Sequence, residues 1–331
     1  MVSYRSSLTK IGIPKTAFVS YMGFASRPKS LRQAIRSMDA PTSKQWKQVA
    51  DIYRGDDWTD EIQGVAWDGS NWIFTSNANQ KKPGVNDKSI YVFKGGKPLG
   101  DGKWISRIRF YQVPHPIGGT KESDDHWGQV TFFDGFVYVA HFWAGGQKDT
   151  ASAVEFKDTN GKLSFTRWIE LEKPTGQDGR HERAEFQAIN PWDGMIYTCF
   201  GGGTISEFFI HDRDTGAWTG RSLKLDPPVK KVQGACFSPN GHLYIASNTK
   251  LPGNSDYQTM WYHAALNGFQ FGVIKVMALE SKQELEGNCF ASVTVASGKA
   301  AQIHTVLLEN EPVALDDIYF KSFGCSVPEL V

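Results

Sequence analysis

The chain has 331 residues, 40% apolar and 21% charged, with a formal net charge of +1. That balance excludes a disordered, collagen-like or low-complexity protein and allows a substantial buried core. No apolar run approaches the ~20 residues of a membrane-spanning helix.

Residues 1–44 come first and stand apart. They hold eight Lys/Arg (Arg5, Lys10, Lys15, Arg27, Lys29, Arg32, Arg36, Lys44) against one acid, Asp39, so the remaining chain is net acidic. A targeting segment, an electrostatic arm and an extension packed on the domain all stay open. "TAFVSYMGFAS" (16–26) lacks the apolar core and cleavage site of a secretory signal. Within 29–40, Leu31, Ala34, Ile35 and Met38 fall at helical spacing between Arg32 and Arg36, which predicts a short amphipathic helix.

From residue 45 onward the pattern is that of strands. "WKQVADIYR" (46–54) precedes a hairpin plan that recurs along the chain. "EIQGVAWDGSNWIFTSN" (61–77), "HWGQVTFFDGFVYVAHF" (126–142), "EFQAINPWDGMIYTCF" (185–200) and "VKKVQGACFSPNGHLYIASN" (229–248) each run into an Asp-Gly or Asn-Gly turn and out again. Those dipeptides favour tight hairpins because they accept positive φ. The turn glycines, Gly69, Gly135, Gly194 and Gly241, are spaced 66, 59 and 47 apart. "ELEGNCFASVTVASGKAAQIHTVLL" (284–308) is a fifth copy with a longer turn.

A third and a fourth strand follow each of the first four hairpins: "KSIYVFKGG" and "RIRFYQV", "SAVEFKDTNGK" and "LSFTRWIEL", "ISEFFIHDRDTG" and "RSLKL", "MWYHAALNG" and "FGVIKVMAL". Four antiparallel strands repeated about every 50 residues are the signature of propeller blades. The fifth unit offers only "IYFKSF" (318–323) after its hairpin, and 46–54 can supply the missing strand and close the ring. The expected fold is therefore all-β: a five-bladed β-propeller over 45–331 behind a short basic N-terminal extension. Six blades follow if the stretches 78–88 or 94–106 conceal strands.

These units resemble blades of the propeller group that includes SMP-30/gluconolactonase, strictosidine-synthase-like and phytase-like proteins, whose inner strands often begin Glu-Gly or Gln-Gly and turn at Asp-Gly or Asn-Gly. The resemblance is one of architecture and covers most of the chain. In the lactonase-type members a Glu before Gly on an inner strand helps hold a divalent ion. Only Glu286 in "LEGN" matches that position here; the other blades carry Gln or Gly.

Aligning the five units places Glu61, His126, Glu185, Lys231 and Glu284 at one mouth of the axis, followed two residues on by Gln63, Gly128, Gln187, Gln233 and Glu286. The returning strands bring Asn77, His141, Phe200 and Asn248 to the same end, with Asp124 and Asp125 on the rim. Carboxylates beside amides suit Ca²⁺, and histidines beside carboxylates suit Zn²⁺, Mn²⁺ or Fe²⁺. The residues sort into three sets. Glu61, Asn77, Asp125, Trp127, Glu185, Lys231 and Asn248 are candidate ligand contacts, and Glu61, Glu185, Glu284 and Glu286 candidate ligands of a divalent cation, Ca²⁺ first. His126 and His141 are candidate general bases. The same polar groups also fit a purely structural role, bonding backbone and channel water.

Three functions stay open: a recognition module with a polar pocket, a metal-dependent lactonase or esterase, and a lectin or scaffold. Sugar-stacking roles fall to Trp58, Trp127, Trp143 and Trp261, each also a candidate for blade packing. A small molecule, a glycan or a protein partner is expected, and the domain reads as a monomer. Nucleic acid is not expected, because binding it needs a basic face on the domain and the domain is net acidic. Four cysteines do not make a disulfide framework and read as reduced core residues, which favours the cytoplasm and leaves export open. No Gly-x-Ser-x-Gly elbow, Walker loop or dinucleotide fingerprint occurs, and "HERAE" (181–185) lacks the second His of a zincin.

Overall fold

Each inner hairpin forms where alternating apolar residues meet a residue pair that tolerates a left-handed turn. At Asp134–Gly135 both φ values are positive, 53° and 81°, as a type I′ turn requires. At Asp68 the carboxylate closes the turn instead, accepting the N–H groups of Ser70 and Asn71 at 2.6 Å each.

A computed structural model describes residues 41–78, 88–95, 99, 102–114, 125–143, 151–174, 184, 186–200, 203–250, 257–264, 268–278, 282–295, 297–310 and 314–326. The extension up to residue 40 with its expected helix, the "HERAE" stretch except Ala184, Asp124, residues 79–87 of the first insert and 96–98, 100 and 101 of the second lie outside them.

Among the described residues, twenty strands form five four-stranded antiparallel sheets. Blade 1 holds β2 (Ile62–Trp67), β3 (Asn71–Ser76), β4 (Ser89–Lys94) and β5 (Ser106–Arg109). Blade 2 holds β6 (Asp125–Phe133), β7 (Phe136–Trp143), β8 (Ala151–Thr159) and β9 (Lys162–Glu170). Blade 3 holds β10 (Ala188–Ile189), β11 (Ile196–Thr198), β12 (Thr204–His211) and β13 (Trp218–Lys230). Blade 4 holds β14 (Val232–Phe237), β15 (His242–Ser247), β16 (Tyr257–Ala264) and β17 (Gln270–Met277). Blade 5 joins β18 (Gln283–Thr294), β19 (Ala300–Glu309) and β20 (Asp317–Cys325) to β1 (Trp46–Arg54), which pairs with β20.

The inner strands neighbour one another in the cycle β2, β6, β10, β14, β18 and back to β2. The fold is a five-bladed β-propeller closed by β1, and the six-blade alternative is set aside.

The core is divided among the seams. Trp127, Val130 and Val139 of blade 2 meet Ile73, Val92 and Phe110 of blade 1 in one apolar cluster. Equivalent clusters fill the other four seams. A strand with a blade on either side is buried on both faces, so β3 and β15 are buried at every position.

Trp58 and Trp127 are 1% and 0% exposed, and Trp58 packs on Phe74, Tyr91 and Phe93. Neither presents a face to a sugar, which corrects the stacking role considered for them. Trp261 is half-buried against the seam of blades 3 and 4. All four cysteines are free thiols, and three are buried. Among the described residues no helix is long and apolar enough to cross a membrane.

Candidate functional site

The inner strands are not regular. Pairing of β2 with β3 skips Gln63, and pairing of β14 with β15 skips Gln233. On β6 it skips Gly128 and Gln129, and on β18 Glu286 and Gly287. Each skip is a β-bulge, which turns a side chain out of the ladder. The repeated bulge lines up two positions. The first carries Gln63, Gly128, Gln187, Gln233 and Glu286 in blade order, and the second Gly64, Gln129, Ala188, Gly234 and Gly287.

The second position lies at the axis. A Cβ on Gly287 would stand 2.6 Å from the Cα of Gly64, and one on Gly64 would stand 2.6 Å from the Val130 nitrogen. Only glycine permits that approach. The space left by three glycines and an alanine is taken by Gln129, 1% exposed. Its Nε2 donates to the carbonyls of Ala235 (2.7 Å) and Asn288 (2.6 Å), and its Oε1 accepts the Ala235 N–H. Gln129 thus plugs the channel, reaching from blade 2 to blades 4 and 5.

Aligned by sequence, the blades place Gly128 in the mouth, whereas the structure puts Gln129 at the axis. The signal was present in the reversed order "GQ" of blade 2 against "QG" in blades 1 and 4.

Beside the plug, Gln233 Nε2 donates to Glu286 Oε1 at 3.4 Å across the seam of blades 4 and 5. Glu286 is 2% exposed, while Gln63 and Gln233 are half-buried. Gln187 turns away, its Nε2 donating to the Ser152 carbonyl at 2.6 Å.

The other expected site residues sort by their bonds. Asn77 Nδ2 donates to the Trp127 carbonyl at 2.6 Å and its Oδ1 accepts the Trp127 N–H at 2.7 Å, so one carboxamide mimics a strand and ties blade 1 to blade 2. Asn248 makes the matching bond to the Leu285 N–H, from blade 4 to blade 5. Both serve as inter-blade latches, the structural role left open for them. Glu61 and Lys231 hold left-handed backbone (φ 51° and 47°) at the strand entrances, and their carbonyls accept the Asn77 and Asn248 N–H groups. Glu284 accepts from Asn310 Nδ2 at 2.8 Å. Glu185 lies outside the described residues, and so do the side chains of Asp125 and Trp143.

His126 and His141 do not face one another. His126 pairs with Phe142 and Trp127 with His141 across the hairpin, so the two imidazoles stand on opposite faces of blade 2. His126 stacks on Phe142 at 4.5 Å. His141 is buried near Phe110, Trp127 and Trp168, within the seam. The expectation that both imidazoles share a mouth is corrected by this register. Among the described residues no three His, Cys, Asp or Glu side chains gather closely enough to hold a metal ion.

No family model matches this chain, and no curated protein does. Solved structures resemble it in trace. A GH43 endo-arabinanase from Bacillus licheniformis is 10% identical with a TM-score of 0.47, over 81% of this chain and 95% of its own. A glycosyl hydrolase from Bacteroides ovatus is 9% identical with a TM-score of 0.41, over 80% and 85%. A putative glycoside hydrolase from Parabacteroides distasonis is 12% identical with a TM-score of 0.42, over 82% and 88%.

Proposed function

We propose that this chain is a ligand-binding β-propeller whose site is the mouth over Gln129, with Gln63, Gln233 and Glu286 as its contacts. The observation that carries the reading is the repeated bulge, which sets these three side chains at one level beside a plugged axis. Carboxamides both donate and accept, and a carboxylate accepts through two oxygens. Together they complement a ligand dense in hydroxyl groups, a neutral mono- or oligosaccharide. Binding is preferred to lactone or ester hydrolysis because the two candidate bases stand on opposite faces of blade 2.

Calorimetric titration of the full chain with a panel of neutral saccharides tests this. Saturable binding is expected for at least one sugar. Glu286→Gln should weaken it about tenfold, near 1.4 kcal/mol, with little change in melting temperature. If no saccharide binds, or binding survives both Glu286→Gln and Gln233→Ala, the reading fails. Ca²⁺ belongs in the same series. Stabilisation by the ion that EDTA and Glu286→Gln both abolish would replace the sugar with a cation.

A further inference from the structure

Among the described residues, blade 3 is the least paired near the axis, with two residues in β10 and three in β11. Farther out, each of its two seams holds a closely approached glycine turn with a buried histidine beside it. Where blade 3 meets blade 2, Gly216 (φ 75°) lies so close on β9 that a Cβ would fall 1.9 Å from the Glu170 carbonyl oxygen. Its own carbonyl accepts the Glu172 N–H at 2.9 Å. Five residues earlier, His211 donates from Nε2 to the Glu172 carbonyl at 2.9 Å.

The seam of blades 3 and 4 repeats the glycine contact and its backbone bond, with the histidine there bonded to the glycine turn of its own blade. Gly268 (φ 69°) lies on Lys224 of β13, where a Cβ would fall 1.5 Å from the carbonyl oxygen. The Gly268 carbonyl accepts the Asp226 N–H at 2.9 Å and His263 Nδ1 at 2.9 Å. Residues 170, 172, 211 and 216 correspond in spacing to 224, 226, 263 and 268.

Both histidines are 0% exposed. In each, one ring nitrogen donates to a carbonyl and the other, His211 Nδ1 or His263 Nε2, is buried without a hydrogen-bond partner. Glu172 of blade 2 and the ring of Phe200 face His211; Asp226 of blade 3 and its own turn face His263. Asp212 beside His211 spends its carboxylate on the turn, accepting from Asp214 and Thr215. Burial outweighs these partners and holds both imidazoles below their ordinary value of 6.5.

We propose that blade 3 is an acid-released element, latched to both neighbours while His211 and His263 are neutral and freed when their second ring nitrogens take up protons. A second proton makes each ring a buried cation; the new N–H of His263 has no acceptor and that of His211 meets only the Phe209 backbone of its own strand, so opening to water relieves both. The opened blade binds protons at the ordinary imidazole value and the closed blade only below it. Opening is therefore favoured as pH falls through 6.5.

Hydrogen exchange of the full chain at about pH 7.5 and about pH 5.5, corrected for the chemical exchange rate, tests this. Peptides from β10 to β12 should gain about tenfold in exchange relative to those from β18 to β20. In blade 5 the reference histidine, His304, has both nitrogens bonded. The double variant His211→Gln, His263→Asn keeps an amide donor for each carbonyl and cannot titrate, so it should abolish the gain. A gain spread evenly round the ring, or one that survives in the variant, overturns the proposal. If the variant does not fold, NMR titration of the two imidazoles in the wild type decides: proton uptake outside the pH interval of blade-3 opening overturns it too.

Discussion

Gln129 makes three hydrogen bonds across the axis, and its neighbours there are glycines for want of any other room. Gln129→Ala would leave the Ala235 N–H and the carbonyls of Ala235 and Asn288 buried without this partner. Unmet groups of this kind, with the void, should cost roughly 2–4 kcal/mol, read as a lower urea midpoint at unchanged slope. Gln129→Glu should be no better, since a carboxylate cannot donate to two carbonyls. A midpoint unchanged in both variants would show that the plug is not structural. The contrast with Asn77 is instructive. Both carboxamides bond backbone on another blade, yet Asn77 is a local seam latch while Gln129 ties three blades.

At the scale of elements, β1 decides whether the ring closes. Eight of its nine residues pair along β20, Val49 being skipped at a bulge, and Trp46 is buried against Tyr244 at 5.6 Å in the seam of blades 4 and 5. Without β1, the outer edge of β20 would present unpaired N–H and carbonyl groups, a template for association. A chain lacking residues 46–54 should melt at lower temperature and aggregate, and a peptide of those residues added in trans should restore part of the loss. The milder Trp46→Ala should cost about 3–5 kcal/mol. Calorimetry and light scattering read both. A monomeric truncated chain with the full melting temperature would contradict this account of closure.

For the whole molecule, acid sensitivity follows from burial. His304 is 0% exposed in the seam of blades 5 and 1, stacks on Phe320, and donates or accepts at Ser322 Oγ (2.9 Å) and the Ala291 carbonyl (3.0 Å). Burial pulls its pKa from 6.5 down to about 4. Between those values the unfolded chain holds a proton that the folded chain does not. Stability from this group is therefore complete above about pH 6.5 and declines as pH falls toward about 4, by roughly 3 kcal/mol in all. A His304→Gln variant, if folded, should show a shallower fall in urea midpoint over that interval. A slope equal to that of the wild type would remove His304 as its source. This decline is global, whereas release of blade 3 is local, and hydrogen exchange separates the two.

The propeller was legible in the chain because its signals are local. Asp-Gly and Asn-Gly turns and alternating apolar residues act within a few positions, and their recurrence, together with an unpaired strand at 46–54, pointed to five blades and the closing strand, with the sixth blade ruled out by the sheet order. The site was legible only to the level of a mouth. Whether Asn77 faces a ligand or the backbone of Trp127, and whether His126 and His141 meet, depends on register across a hairpin and packing across a seam. A side chain's direction in a strand reverses with each residue, and a bulge resets it, so one skipped position reassigns a face. The reversed Gly128–Gln129 order marks blade 2 as different, but what fills the axis was decided by tertiary structure. Gln129 fills it because glycines from blades 1, 4 and 5, far apart in sequence, leave space for one side chain among them.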